Sequence, residues 1–260
     1  MTDKMINIYG RKLIKGSRLS ALSIMLFGLL TTVIFALIPS GIISLFKSFS
    51  LKTALDDIST LIYPITVSAV FVLISFLFFM ILSSVSIGEK AWYSGKMSKK
   101  QNSGKRLRFW FKPSRSFKAL RLEVLLFGAR LLWDIVFLSP ALLFFASIWG
   151  TAFYGGIEIT LLISLAAGGI LLLTAGLIFR FIVVQRYFLA PYLMAGNPKL
   201  KPLQAVKQSK NLLEGHIFRI VKFKLKHLPR FLLYPLILPA IFFFPSYKQS
   251  CCVIAKEICL

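Results

Sequence analysis

Four long apolar runs constrain this 260-residue chain more than any other feature. They cover residues 19–46, 61–87, 122–149 and 159–184. At about 1.5 Å rise per residue, each run exceeds the roughly 20 residues that a helix needs to cross the hydrocarbon layer. The runs therefore predict an all-α fold, a polytopic transmembrane helix bundle.

A fifth apolar segment, residues 231–245, is shorter and contains three prolines. Pro235 and Pro239 interrupt it and Pro245 closes it, which indicates a kinked helix. We predict that this segment crosses, giving about five spans and a carboxyl tail outside the cell. The alternative is a segment that re-enters without crossing, which gives four spans and a cytoplasmic tail.

The charge of the chain is concentrated between the apolar runs. A net charge of +23 would suggest nucleic acid in a soluble protein, but 57% apolar residues and a mean hydropathy of +0.77 exceed what a water-soluble surface tolerates. The amino tail holds 5 Lys and Arg residues, and residues 88–121 and 180–230 hold 11 each, whereas the links after the first and third runs hold two and none. This bias predicts a multi-pass protein of the cell (cytoplasmic) membrane with a cytoplasmic amino terminus. The basic segments 88–121 and 185–230 are then cytoplasmic, and nucleic acid is not a partner.

The second basic segment has the periodicity of an amphipathic helix. Its apolar residues fall on one side of a helix: Ala205, Val206, Leu212, Leu213, Ile217, Ile220 and Phe223. We predict one helix lying flat on the cytoplasmic surface of a bilayer with anionic lipids. The cations expected to contact lipid headgroups are Lys207, Lys210, Arg219, Lys222 and Lys226.

The first basic segment interleaves aromatic and basic side chains. Arg106, Arg108 and Trp110 lie together there. Such residues stack on nucleic acid bases or lie among lipid headgroups. In a loop between two spans, contact with headgroups is the favoured interpretation.

The third run carries opposite charges four residues apart, Arg130 and Asp134. On one helical face they can form an intramembrane charge pair. Charged groups in this position mark a substrate or proton path. The competing interpretation is structural. The Arg130 side chain extends to the membrane interface, and Asp134 either pairs with it or stabilises a contact between helices.

No motif indicates a catalytic residue, a cofactor or a metal. The chain has no nucleotide-binding or serine-hydrolase motif, and His216 and His227 are eleven residues apart with no ligand pattern. Gly168, Gly169 and Gly176 in the fourth run permit close helix approach, within the bundle or in a homo-oligomer.

A stretch within residues 190–218 resembles a known family. It contains Asn197-Pro198 followed by Ala205, Ser209, Leu213 and Gly215, with Pro191-Tyr192 upstream and Phe244 to Tyr247 downstream. These residues resemble the small bacterial integral membrane proteins grouped as domain of unknown function 975. That family is similar to the membrane domain found with some glycerophosphodiester phosphodiesterases. The resemblance implies a membrane location and no catalytic residues, because the phosphodiesterase site belongs to a separate soluble domain.

Two classes of function are compatible with these features. The first is a non-enzymatic membrane protein that organises or regulates partners, such as another membrane protein, or anionic lipids at the cytoplasmic face. The second is a small-solute transporter or permease subunit, in which Arg130, Asp134 and the kinked segment line the path. A transporter predicts a water-filled cavity that reaches the third span.

Overall fold

The computed structural model describes residues 2–48, 59–97, 103–155, 159–231 and 237–259, which form helices and turns with no strand among them. The first five helices are α1 (Asp3–Ile14), α2 (Arg18–Ser48), α3 (Ser59–Met97), α4 (Ser103–Phe109) and α5 (Pro113–Gly155). The remaining helices are α6 (Ile159–Val184), α7 (Ala190–Gly196), α8 (Pro202–Leu213), α9 (Ile217–Phe231) and α10 (Ile237–Cys259), with a 3-10 turn, Gln185–Tyr187, before α7.

Three helical stretches among the described residues are long and apolar enough to cross a membrane. They are Ala69–Met97, Pro113–Gly150 and Thr160–Gly196, and a bent pair formed by α1 and α2 raises the number to four if it counts as one span. No more than 22% of the most apolar window of each stretch is buried inside the protein. Apolar faces of this size are costly in water but match lipid. The prediction of an all-helical fold with helices able to cross a membrane is therefore confirmed for the described residues, whereas the number of about five spans stays a prediction.

The helices extend beyond the apolar runs into the first basic segment. Helix α3 continues to Met97, α4 follows, and α5 begins at Pro113, so most of residues 88–121 is helical. Residues 98–102 of this segment lie outside the described part. Lysine and arginine are good helix formers, so a change in polarity at a membrane surface does not end a helix.

Two compact units make up the chain. Unit one contains Met1–Arg121, Pro191–Lys201 and Leu233–Leu260, and unit two contains Leu122–Ala190 and Pro202–Leu232. In unit one, α2 packs on α3, and α10 packs on α1, α2 and α3. Its core includes Ile14, Ala21, Trp92, Tyr93 and Cys252.

The amino tail of unit one is a helix bent by 96° from α2. Its buried residues Ile6, Gly10 and Ile14 recur every four positions and form one face. A β-carbon added at Gly10 would lie 2.6 Å from Ser250 Oγ on α10. Glycine therefore allows the first and last helices to come into close contact.

The carboxyl end of unit one belongs to a long helix rather than to a separate tail. Helix α10 passes through Pro245 and buries Cys251 to Ala255. Lys248 contacts Glu89, Gln249 contacts the Tyr93 carbonyl, and Cys252 belongs to the core cluster against which Met97 packs. Residue numbers therefore rise together, and α10 runs parallel to α3. Helix α10 therefore continues past the predicted segment 231–245, of which residues 232–236 lie outside the described part. Side chains that satisfy freed backbone groups let a proline remain inside a membrane helix.

In unit two, α5 and α6 pack closely and antiparallel. A β-carbon at Gly176 would overlap the Phe137 carbonyl oxygen, and one at Gly169 would lie 2.8 Å from the Phe145 ring. These glycines therefore serve close packing within the bundle, one of the two uses expected from the sequence.

The amphipathic segment of unit two is two helices, not one. Gly215 separates α8 from α9 with a φ of 86°, a left-handed conformation that favours glycine. The expectation of a single surface helix is therefore wrong, because hydrophobic periodicity does not register this reversal of backbone conformation.

Candidate functional site

Helix α8 packs on the chain around the 3-10 turn. Ala205, Ser209 and Leu213 are buried. Ser209 Oγ donates a hydrogen bond of 2.8 Å to the Arg186 carbonyl oxygen, and Lys210 Nζ lies 5.4 Å from the centre of the Tyr187 ring. These contacts fix α8 against the end of the fourth apolar run.

Helix α9 buries one face in the same unit. Ile220, Phe223 and His227 are buried, and His227 Nδ1 lies 2.8 Å from the Phe223 carbonyl oxygen. Lys224 Nζ donates to Gln185 Oε1 at 2.5 Å and lies 4.8 Å from the Phe188 ring centre.

The apolar face predicted to lie against lipid therefore packs inside unit two instead. Its buried members are Ala205, Leu213, Ile220 and Phe223. Periodicity identifies a face that must be buried, but it does not distinguish lipid from protein as the partner.

The opposite face of α9 exposes apolar and cationic side chains side by side. Phe218, Leu225 and Leu228 are 74%, 49% and 54% exposed. At about 100° per residue these three form one arc, and the exposed Lys222 and Lys226 form the neighbouring arc. Arg219 lies at the edge of the cationic arc and is half-buried. An apolar arc beside a cationic arc is typical of a helix at a membrane interface.

The remaining predicted headgroup contacts divide into exposed and buried residues. Lys207, Lys210 and Arg108 are exposed, and Arg106 is half-buried. Trp110 is only 1% exposed; it packs edge-on against Phe109, and its carbonyl oxygen accepts a 3.0 Å hydrogen bond from Ser116 Oγ. The prediction that Trp110 contacts headgroups is therefore wrong, because this side chain fills the turn between α4 and α5.

Asp134 of the predicted charge pair takes its hydrogen bonds from another helix. Arg180 on α6 donates through Nε to Oδ1 and through Nη2 to Oδ2, the second bond being 3.2 Å. Arg130 is exposed and acts on Asp134 only through its charge. Asp134 is therefore paired with Arg180 and not with Arg130, as the sequence had suggested. Beside them, Trp133 Nε1 donates to the Tyr187 hydroxyl at 3.0 Å.

A second ion pair, in unit one, has no signal in the sequence. Lys248 Nζ donates to both carboxylate oxygens of Glu89, at 2.6 and 2.7 Å. Glu89 is 8% exposed. The sequence presents Glu89 as the one acid of a basic segment and Lys248 as a tail residue, and 159 positions separate them.

Comparisons with family models, with curated proteins and with solved structures find no match to this chain. The resemblance to domain of unknown function 975 therefore stays a prediction.

Proposed function

We propose that this chain is a non-enzymatic, multi-pass protein of the cell membrane that organises or regulates anionic lipids or partners at the cytoplasmic face. The exposed face of α9 carries the proposal, since Phe218, Leu225 and Leu228 lie beside Lys222 and Lys226. The apolar side chains enter the interface, and the cations contact phosphate groups. Arg219 extends the cationic arc, and Lys207 and Lys210 add charge on α8.

Electrostatics sets the expected selectivity of this surface. Each Lys or Arg near an anionic leaflet contributes about 1 kcal/mol, an attraction that is absent from a zwitterionic bilayer. Three cations on about two turns of α9 therefore favour anionic lipid by up to about 3 kcal/mol.

The proposal includes a four-span topology with both termini in the cytoplasm. The positive-inside bias assigns the carboxyl end of α3 to the cytoplasm. Helix α10 runs parallel to α3, and its last turns pack near α1, which supports the re-entrant alternative for residues 231–245 over a fifth crossing. The 96° bend then lays α1 along the membrane surface when α2 crosses.

The lipid role is tested with the full chain in nanodiscs containing equal phosphatidylglycerol and phosphatidylcholine. Mass spectrometry measures which lipids stay bound to the released protein. We expect phosphatidylglycerol to be enriched, and the triple variant Arg219→Gln, Lys222→Gln, Lys226→Gln to reduce the enrichment roughly tenfold.

A matched control removes three exposed lysines outside α9, as Lys105→Gln, Lys199→Gln and Lys256→Gln. This control loses the same formal charge but no cation beside the apolar arc. If the two triple variants lost equal enrichment of phosphatidylglycerol, the net charge of the protein would explain the enrichment. That result would contradict the role of α9.

The alternative function, a small-solute transporter subunit, is supported by the ion pair between Asp134 and Arg180 within apolar helices. Paired charges in such helices line many solute or proton paths. Asp134→Asn that folds normally but abolishes uptake of a solute would favour this function. Normal uptake would count against it.

A further inference from the structure

Unit one contains a cavity of about 450 Å³ between α2, α3, α7 and α10. Its α3 wall consists of Leu82, Val85, Ser86, Glu89, Lys90 and Tyr93. These residues recur every three or four positions, so they form one helical face about 16 Å long at a 1.5 Å rise. The volume lies within the range of about 300 to 1,000 Å³ that small-molecule sites occupy.

The cavity has a charged end and an apolar end. Glu89, Lys90 and Lys248 line the first, with the ion pair between Glu89 and Lys248 and with Lys90 Nζ donating to Ser86 Oγ at 2.9 Å. Along α3 the wall becomes apolar at Val85 and Leu82. Leu29 of α2 adds to this apolar lining. Two ammonium groups and one carboxylate give the charged end an excess of positive charge.

A buried hydroxyl lies at the charged end of the cavity. Tyr93 lines the cavity and is 2% exposed. Its hydroxyl makes no hydrogen bond within the part of the chain that the structure describes. A buried hydroxyl without a partner costs about 1 to 3 kcal/mol, a cost that a polar ligand group removes.

We propose that this cavity binds an amphiphile with one hydrocarbon chain and an anionic headgroup, either a carboxylate or a phosphate. The acid group lies between Lys90 and Lys248, within reach of Tyr93. The hydrocarbon chain lies against Leu82, Val85 and Leu29. This site belongs to unit one and is independent of the lipid surface proposed on α9.

The test uses the full chain in phosphatidylcholine nanodiscs and a photoreactive twelve-carbon fatty acid. Labelled peptides are mapped by mass spectrometry, and four competitors are compared: dodecanoate, dodecyl phosphate, dodecanol and inorganic phosphate. We expect saturable labelling of the peptides that contain Leu82 to Tyr93. At least one acid with a chain should compete, dodecanol should compete at least tenfold more weakly, and inorganic phosphate should not compete. Competition by only one of the two acids supports the proposal and identifies the headgroup.

Two variants locate the ligand. Leu82→Trp fills the apolar end, whereas Leu77→Trp places the same ring on an exposed part of α3 outside the lining. We expect Leu82→Trp to reduce labelling at least tenfold and Leu77→Trp to leave it unchanged. Lys90→Gln, which removes one cation, should weaken binding of the acids but not of dodecanol.

Four results would overturn the proposal. They are labelling that does not saturate, equal competition by dodecanol, competition by inorganic phosphate alone, and equal losses in the two tryptophan variants.

Discussion

Arg180 on α6 donates hydrogen bonds to both carboxylate oxygens of Asp134 on α5, although 46 positions separate the two residues. Neither charge is favourable alone in an apolar helix, so each makes the other tolerable there. The pair lies one turn from Gly176, whose missing side chain lets α5 and α6 approach. Close packing and the ion pair therefore stabilise the same contact, the one between α5 and α6.

Removing one member of this pair should destabilise the protein more than removing both. Asp134→Leu leaves Arg180 as a lone charge in an apolar membrane helix, which we expect to cost about 3 kcal/mol. The double variant Asp134→Leu, Arg180→Leu should recover most of that loss, while Arg130→Leu should have little effect. Thermal unfolding in detergent measures all four proteins. A double variant that is no more stable than Asp134→Leu would contradict the pairing.

The close approach at Gly176 predicts a large effect from one methyl group. Gly176→Ala would place a β-carbon on top of the Phe137 carbonyl oxygen, so α5 and α6 must separate. We expect a loss of about 1 to 3 kcal/mol, measured as a lower unfolding temperature. Gly128→Ala is the matched control, because nothing lies within 4 Å of a β-carbon there. A comparable loss of stability in Gly128→Ala would mean that the effect comes from the change in backbone conformational preference and not from the helix contact.

Periodicity predicted the helices and the buried positions well. The long runs became helices, and four residues of the predicted apolar face are buried, namely Ala205, Leu213, Ile220 and Phe223. Val206 and Ile217 are half-buried, and Leu212 is exposed. The prediction that this face contacts lipid was wrong, because it packs on protein. Hydrophobicity alone does not distinguish the two environments. The sequence also did not reveal the break at Gly215, where a left-handed backbone separates α8 from α9.

Pairs of distant residues were beyond prediction from one sequence. The local candidate for Asp134 was Arg130, since four residues is one helical turn. Its hydrogen-bonding partner Arg180 is identified only once α5 and α6 are known to be antiparallel. Glu89 and Lys248 are a similar case in unit one. Trp110 was misplaced for a related reason: its burial depends on the turn between α4 and α5.

Burial of the last helix predicts selective reactivity of the three cysteines. Cys259 is exposed, whereas Cys251 and Cys252 are buried. A maleimide should therefore modify one thiol per native chain and three thiols in denaturant. Counting modified thiols by intact mass is sufficient. Rapid modification of three thiols in the native protein would mean that α10 does not pack on α1 and α3 as described.

Burial of Cys252 also predicts a pH dependence of stability. Burial raises the pKa of the Cys252 thiol to about 12, whereas an unfolded cysteine titrates near pH 8.5. Between these values the unfolded chain releases a proton that the native chain keeps, so stability falls as the pH rises. At pH 10 the loss amounts to about 2 kcal/mol. Unfolding temperatures at pH 8 and pH 10 should differ less in Cys252→Ala than in the wild type, and equal differences would contradict the buried thiol.

The contact between the first and last helices predicts that both termini lie on one side of the membrane. Gly10 and Ser250 are too close for a β-carbon to fit between them without movement, and α10 runs parallel to α3. A membrane-impermeant maleimide applied to intact cells should therefore label neither Cys259 nor a cysteine introduced as Thr2→Cys. Both should react in inverted vesicles, because the positive-inside bias predicts a cytoplasmic amino end. The native Cys251 and Cys252 can remain in the protein, since they are buried. If Cys259 were labelled from outside while position 2 was protected, the two termini would lie on opposite sides of the membrane. That result would support a fifth crossing and contradict the packing of α10 on α1.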